Sequence, residues 1–383
     1  MTLQTVQVHL TSLADAASAL EPLQAIDPQL LLVFGAAPFF SNGALTSLLF
    51  ERLPQALPIG CSTAGEISAA GVADGRCVIT ALRFDHTATR AAHAELARMD
   101  GSRQAGEALA RQLAAADLRA VMVFGPGVDI NGSALIDGLV AGIGADVPIT
   151  GGLAGDGGAF KQTWTLGGEG VSDRGVVAVG FYGAALEFGH GSFGGWAPFG
   201  PARKVTRCQD NILYELDGAP ALDIYKQYLG EYARDLPASG LLFPFSMLGE
   251  DRAAVGLIRT ILGIDEAAGS LILAGDIDPN GYLKLMHAST DGLLDGSHAA
   301  AEAALKMMRH PQQGLAVLVS CVGRKLAMGG RVDEEVEAVA KVYGEHTPLA
   351  GFYSYGEISP FTPGLECKLH NQTMTITYLA EAG

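Results

Sequence analysis

The chain has 383 residues, 49% of them hydrophobic and 17% charged, with 50 glycines. Such a composition excludes a disordered chain and describes a compact one rich in tight turns, long enough for roughly two to three domains. A formal charge of −16 excludes duplex nucleic acid or an anionic membrane surface as the main partner, because phosphate binding is mostly Lys and Arg work.

In chain order, the first 30 residues hold no basic start followed by an apolar core, and no apolar run reaches about 18 residues, so the expectation is a cytoplasmic protein without membrane insertion. Runs of Val, Ile, Leu and Phe predict strands at Leu30–Gly35, Cys77–Phe84, Val121–Gly125 and Val176–Tyr182. Others follow at Leu241–Phe245, Leu271–Ala274, Tyr282–His287, Leu315–Ser320 and Leu369–Tyr378. Helical periodicity marks Arg103–Ala116, Ala134–Ile143, Leu222–Leu229, His298–Met308 and Asp333–Tyr343. The expected class is α/β of the mixed α+β kind, with mixed sheets.

A repeat organises these elements. LLVFGA, SNGALTSLLFERL and PIGCSTAGEI from Leu30 answer to AVMVFGPG, NGSALIDGLVAGI and PITGGLAGD from Ala120. Pro58, Gly65 and Glu66 match Pro148, Gly155 and Asp156 at the same offsets. GLAVLVSCVG from Gly314 and PLAGFYSYGEI from Pro348 form a third, looser copy, and LLFPFS from Leu241 opens a degenerate fourth. Repeated units bury their apolar faces against one another, and small ligands favour such interfaces. Phe188 to Thr206, with five glycines and two prolines, breaks the pattern and reads as the crossing between two modules, 25–202 and 203–380.

The motifs divide into turns and candidates. Five scattered cysteines without CxxC or CxxCH exclude a disulfide framework and covalent haem. Cys61 and Ser62 do not form GxSxG and have no nucleophile at their repeat positions, so no catalytic residue is assigned and the chain is not expected to be an enzyme. Gly151–Gly158 reads as a tight turn admitting a neighbour rather than an anion cradle, since Asp156 would repel phosphate. Asp276–Gly281 lacks the calcium-loop glutamate, which leaves Asn280-Gly281 as a hairpin turn. His9, His86, His93, His310 and His346 read as solvated, while His287 and His298 flank a loop. His190 sits among glycines and aromatics, as a ligand-presenting loop or a flexible crossing. His370 would share a strand face with Gln372, Met374, Ile376 and Tyr378, as a ligand or a hydrogen-bonded core residue. Converging turns would bring Glu66, Asp156 and Glu357 to equivalent places.

PITGGLAGDGG, GHGSFGGWAPFGP, NILYELDGAPALDIY, GFYSYGEISPF and LHNQTMTITYL resemble the FIST family of bacterial sensory proteins, from about residue 25 to residue 380. The resemblance implies a small-ligand sensor. The last two stretches are similar to its haem-binding, nitric-oxide-sensing subgroup, which modulates a histidine kinase and cyclic-di-GMP output. That subgroup implies haem b, iron held by His190 or His370, and walls from Phe188, Trp196, Phe352, Tyr353 and Tyr355, with Arg203 and Glu357 as polar groups. The alternative is a non-haem organic ligand such as an amino acid, with Arg203, Glu357 and Asp156 as its polar partners. Oligomeric state, a homodimer included, stays open.

Overall fold

The computed structural model describes residues 3–14, 16–309, 314–344, 346–361 and 366–382. Three units of one plan share a common axis. The first holds β1 (Gln4–Leu10), α1 (Ala16–Ala19), β2 (Leu30–Gly35), α2 (Ala44–Arg52), β3 (Leu57–Ser62), β4 (Glu66–Ser68), β5 (Gly71–Ala73) and β6 (Cys77–Arg83). The second holds β7 (Ala88–Glu95), α3 (Ser102–Leu113), β8 (Leu118–Gly125), α4 (Gly132–Ile143), β9 (Ile149–Leu153), β10 (Thr165–Gly167), β11 (Gly170–Ser172) and β12 (Gly175–Tyr182). In the third, β13 (Leu186–Phe193) is followed by an inserted domain of β14 (Ala197–Pro198), β15 (Arg203–Gln209), β16 (Ile212–Leu216), β17 (Ala219–Pro220), α5 (Ala221–Leu229), β18 (Phe245–Leu248), β19 (Ala254–Arg259), β20 (Ile261–Asp265), β21 (Ser270–Leu273) and β22 (Tyr282–His287). The unit resumes with α6 (Thr290–Lys306), β23 (Gly314–Cys321), α7 (Val322–Met328), α8 (Asp333–Tyr343), β24 (Leu349–Ser354), β25 (Gly356–Pro360), β26 (Cys367–His370) and β27 (Met374–Glu381).

Each unit builds a six-stranded mixed sheet, and none builds it alone. The orders are β1-β6-β2-β3-β10-β11, β26-β25-β9-β8-β12-β7 and β13-β27-β23-β24-β4-β5. The parallel pairs β2/β3, β8/β9 and β23/β24 need helical crossovers, and their buried strands read as unbroken apolar runs. The last two places in each sheet come from a neighbour: the first unit lends β4-β5 to the third, the second lends β10-β11 to the first, and the third lends β25-β26 to the second. Beside these exchanges lie three equivalent backbone bonds, Ala64 N–H to Tyr353 O (2.8 Å), Gly155 N–H to Ser62 O (2.8 Å) and Tyr355 N–H to Leu153 O (3.1 Å).

Pairing register defines which residues correspond. Phe34, Phe124 and Val319 face Cys61, Gly152 and Phe352 across the parallel pairs. Phe34, Phe124 and Phe352 meet with ring centroids 4.8–5.9 Å apart. The third unit thus carries its aromatic ring on the adjacent strand, and Gly152 leaves the space, since a Cβ there would lie 2.7 Å from Val319. Gly60, Gly151 and Gly351 correspond, and a Cβ at each would sit 1.8–1.9 Å from the carbonyl oxygen of Val33, Val123 or Leu318.

Several sequence expectations change. Residues facing Cys61, Gly152 and Phe352 on the lent strands are Thr165, Glu357 and Glu66. Asp156 is therefore not the equivalent of Glu66 and Glu357; the second unit carries a longer turn, 154–164, before its lent strand. Leu369–Tyr378 is not one strand: it turns back between β26 and β27, with buried Gln372 at φ +64°, so His370 does not share a face with Met374, Ile376 and Tyr378. Asn280-Gly281 turns by bonding to Asp278, but β21 and β22 do not pair with each other. The LLFPFS run is no fourth copy; it enters β18 of the inserted domain. Position 203 begins β15 within that domain, and His310 lies outside the described residues.

Replacing Gly351 by Ala drives a methyl into the Leu318 carbonyl and is expected to cost about 3 kcal/mol, whereas Gly330→Ala, with open space around it, changes little. Urea unfolding of both variants measures the difference.

Candidate functional site

Helix α4, strands β18, β19 and β26 and the turn after β21 enclose a cleft of about 310 Å³ between the second sheet and the inserted domain. Helix α4 starts where Asn131 accepts the Ala134 amide (3.0 Å), and its one-turn spacing presents Ser133, Ile136 and Asp137 to the cleft. Strand β19 brings Leu257 and Arg259, the turn after β21 brings Asp276, Ile277 and Asp278, and β26 brings Lys368 and Leu369.

Arg259 is the informative side chain. It is 4% exposed, and its Nε donates to Asp276 O (3.2 Å) while Nη1 donates to Ile258 O (3.2 Å) and Leu369 O (3.3 Å). Among the described residues no carboxylate forms an ion pair with it, and Nη2 has no partner. Burial pulls its pKa down to about 10, opposed by Asp276. A desolvated guanidinium with an open donor edge is poised for a small anionic group. Its one signal in the sequence, which no motif flags, is a cation interrupting the apolar run from Leu257 to Leu262.

The residues singled out from sequence lie elsewhere. His190 is in β13, not in an exposed loop. Its neighbouring glycines serve packing, because a Cβ at Gly189 or Gly191 would meet the Ala304 or Ala300 carbonyl of α6 at 2.3 or 2.1 Å. The imidazole is buried, its Nδ1 lacks a partner, and burial pulls its pKa down to about 4. His370 is buried with both ring nitrogens engaged, Nε2 with Ser359 O (2.8 Å) and Nδ1 with Ser192 Oγ (3.5 Å). Burial, opposed by the Ser359 bond, brings it to about 4 as well.

The aromatic and polar candidates do not converge. Phe188 lines a separate 350 Å³ cavity with Arg119 and Asp146. Trp196 donates to Gln372 O (2.8 Å), and Arg203 bonds Asp217 (3.1 Å) and Tyr228 (2.9 Å). Phe352 is in the axial cluster. Tyr353 donates to Glu335 (2.7 Å), which is buried with Arg324. Tyr355 donates to Asp156 and stacks on Phe160 at 4.0 Å. Glu357 accepts from Ser354 (2.7 Å) and Thr373 (3.0 Å), and burial pushes its pKa up to about 8. A haem needs one open imidazole facing an aromatic slot; His370 has no free nitrogen, and although His190 keeps an unpartnered Nδ1, the rings named as walls divide among three clusters and form no single slot. The residues present do not fit the group.

The two imidazoles supply a pH test. Each has its folded pKa near 4 against 6.5 in the unfolded chain, so the unfolded state binds more protons between these values. Their contribution is fully present above about pH 6.5, declines as pH falls toward 4 and levels off below, by about 3 kcal/mol per imidazole. Unfolding free energies from pH 7 to 4 should fall less steeply in His370→Gln than in the parent.

Comparison with known proteins adds identity to this geometry. Residues 29–219 match the FIST N domain and residues 221–360 match the FIST C domain. An uncharacterised protein of Mycobacterium tuberculosis is 27% identical over 49% of this chain and 51% of its own length, and one of Mycobacterium bovis is 26% identical over 63% and 59%. The chain thus spans about half the length of the curated relatives it matches. The crystal structure of cyanuric acid hydrolase from A. caulinodans aligns over 100% of both chains at 10% identity and TM-score 0.39. The aligned protein is a hydrolase, against the expectation of a non-enzyme, but at this TM-score the likeness carries no activity, substrate or residue to this chain. Among the described residues no helix is long and apolar enough to cross a membrane. By its two domain matches, which together run through most of its length, the chain belongs to the FIST family.

Proposed function

We propose that the chain is a sensory protein for a small organic ligand of the amino-acid type, taken up in the Arg259 cleft. The observation that carries this reading is the buried Arg259 guanidinium, open at Nη2 and without a carboxylate partner among the described residues. A ligand carboxylate completes its bonding, while Asp137, Asp276 and Asp278 on the same walls receive an ammonium group. Ile136, Met247, Leu257, Ile277 and Leu369 provide an apolar surface for a side chain.

Two bodies form the walls, so a ligand touching both favours the arrangement in which they close on it. A downstream protein reading that arrangement receives the signal; a histidine kinase is the partner that the family resemblance implies. The haem reading has no such support, because its residues are committed to separate cores.

Thermal-shift and calorimetric titrations with the common amino acids test the proposal. At least one is expected to raise the melting temperature by mass action, and Arg259→Met and Asp137→Asn should each weaken it at least about tenfold, or about 1.4 kcal/mol. Failure of every amino acid to bind at millimolar concentration, or binding indifferent to both substitutions, would refute the assignment.

A further inference from the structure

The second unit departs from its two counterparts at one place, the crevice outside the carboxyl ends of β8 and β9. In the first unit the loop after β2 fills the corresponding space with buried Phe39 and Phe40, packed in one cluster with Leu10 and Leu13. In the third unit α7 follows β23 directly, and Arg324 spans the gap to the carbonyl of Gly194, just beyond β13. In the second unit the space is open: a crevice of about 590 Å³ runs between residues 96–99, residues 126–129 and residues 161–163 of the long turn. In sheets with parallel strands, this end is where ligands settle.

The long turn is built, not slack. Asp156 accepts the amides of Phe160 (2.8 Å), Lys161 (2.8 Å) and Gln162 (3.0 Å). Phe160, at φ +53°, stacks on Tyr355, whose hydroxyl also accepts the Gly158 amide (2.9 Å). Asp156 therefore spends its charge on its own loop; burial raises its pKa, but the Tyr355 hydroxyl and these amides more than offset that. The objection that this aspartate would repel an anion no longer applies, because the loop presents Lys161 to the crevice instead. Arg98 and Arg174 approach from two other loops. Among the described residues Lys161 and Arg174 form no ion pair, and Arg98 has only the exposed Asp100 at 3.6 Å. In a chain of net charge −16, three cations around one crevice form a local exception.

We propose that this crevice binds a small phosphomonoester, with its phosphate held by Lys161, Arg174 and Arg98. Asp129 and Asp173 on the same walls accept hydrogen bonds from the hydroxyl groups of the esterified part; Asp173 already accepts from Gln162 (2.9 Å). This site is separate from the Arg259 cleft and does not depend on the ligand assigned there.

Calorimetry with ribose 5-phosphate, inorganic phosphate, ribose and succinate decides the matter. Ribose 5-phosphate should bind, inorganic phosphate more weakly, and ribose not at all. Lys161→Ala/Arg174→Ala should raise the dissociation constant at least tenfold with an unchanged circular dichroism spectrum, whereas Arg259→Met should leave it unaltered. Absence of phosphate-ester binding at millimolar concentration, succinate binding as tightly as the ester, or indifference to the double substitution would each overturn the proposal.

Discussion

Three backbone hydrogen bonds, from Ala64 to Tyr353, Gly155 to Ser62 and Tyr355 to Leu153, close a ring around the axis. Each joins a different pair of units, and each lies where a hairpin leaves its own sheet for a neighbour's. No unit can satisfy its sheet edge alone, so the edge hydrogen bonds of all three depend on the ring closing. The ring also dictates composition: the paired strands approach so closely at Gly60, Gly151 and Gly351 that a side chain would overlap a carbonyl. Glycine at these positions is a consequence of strand spacing, and Gly151, at φ +135°, needs glycine's conformational freedom as well.

Symmetry of this kind leaves few places for chemistry, because equivalent positions are consumed by equivalent packing. The ligand-sized spaces arise where the units differ. One insertion, between β13 and α6, sets β19 and the Asp276–Asp278 turn against α4 and β26. A second, the long turn before β10, holds open the crevice that Phe39 and Phe40 fill in one unit and Arg324 spans in another. Both lie away from the apolar axis, where Phe34, Phe124 and Phe352 pack against one another.

The repeat and most of its strands and helices were legible in the sequence because apolar periodicity reports burial, and burial here is uniform from unit to unit. Helix α8 and strands β2 and β22 lie where the apolar pattern places them. The exchange of hairpins was not legible: an antiparallel strand returning to its own sheet and one joining a neighbour's have the same alternation. The one-residue difference in register between PIGCSTAGE and PITGGLAGD was hidden for a related reason, since glycines on either side make two alignments look alike. His190 misled because glycines beside a histidine suggest mobility, whereas here they admit the backbone of α6. FIST membership was carried by wording rather than by any derivation from the fold.

Arg324 and Arg259 show how a buried cation can be sorted into scaffold or site. Arg324 is fully buried, and its three nitrogens are engaged by Glu335, Ser297 and the carbonyls of Leu293 and Gly194. Glu335 in turn accepts from Ser320 (3.0 Å) and Tyr353 (2.7 Å). Such a network is complete, and its cost of desolvation is offset internally. Arg259 carries the same group at nearly the same burial, yet its partners are only neutral carbonyls and one nitrogen faces the cleft unbonded. A buried cation whose charge is offset only by the nearby Asp276, without an ion pair, keeps part of its desolvation cost. A ligand anion would supply a paired counter-charge, and on this ground the proposed site rests on Arg259 rather than on the more conspicuous histidines.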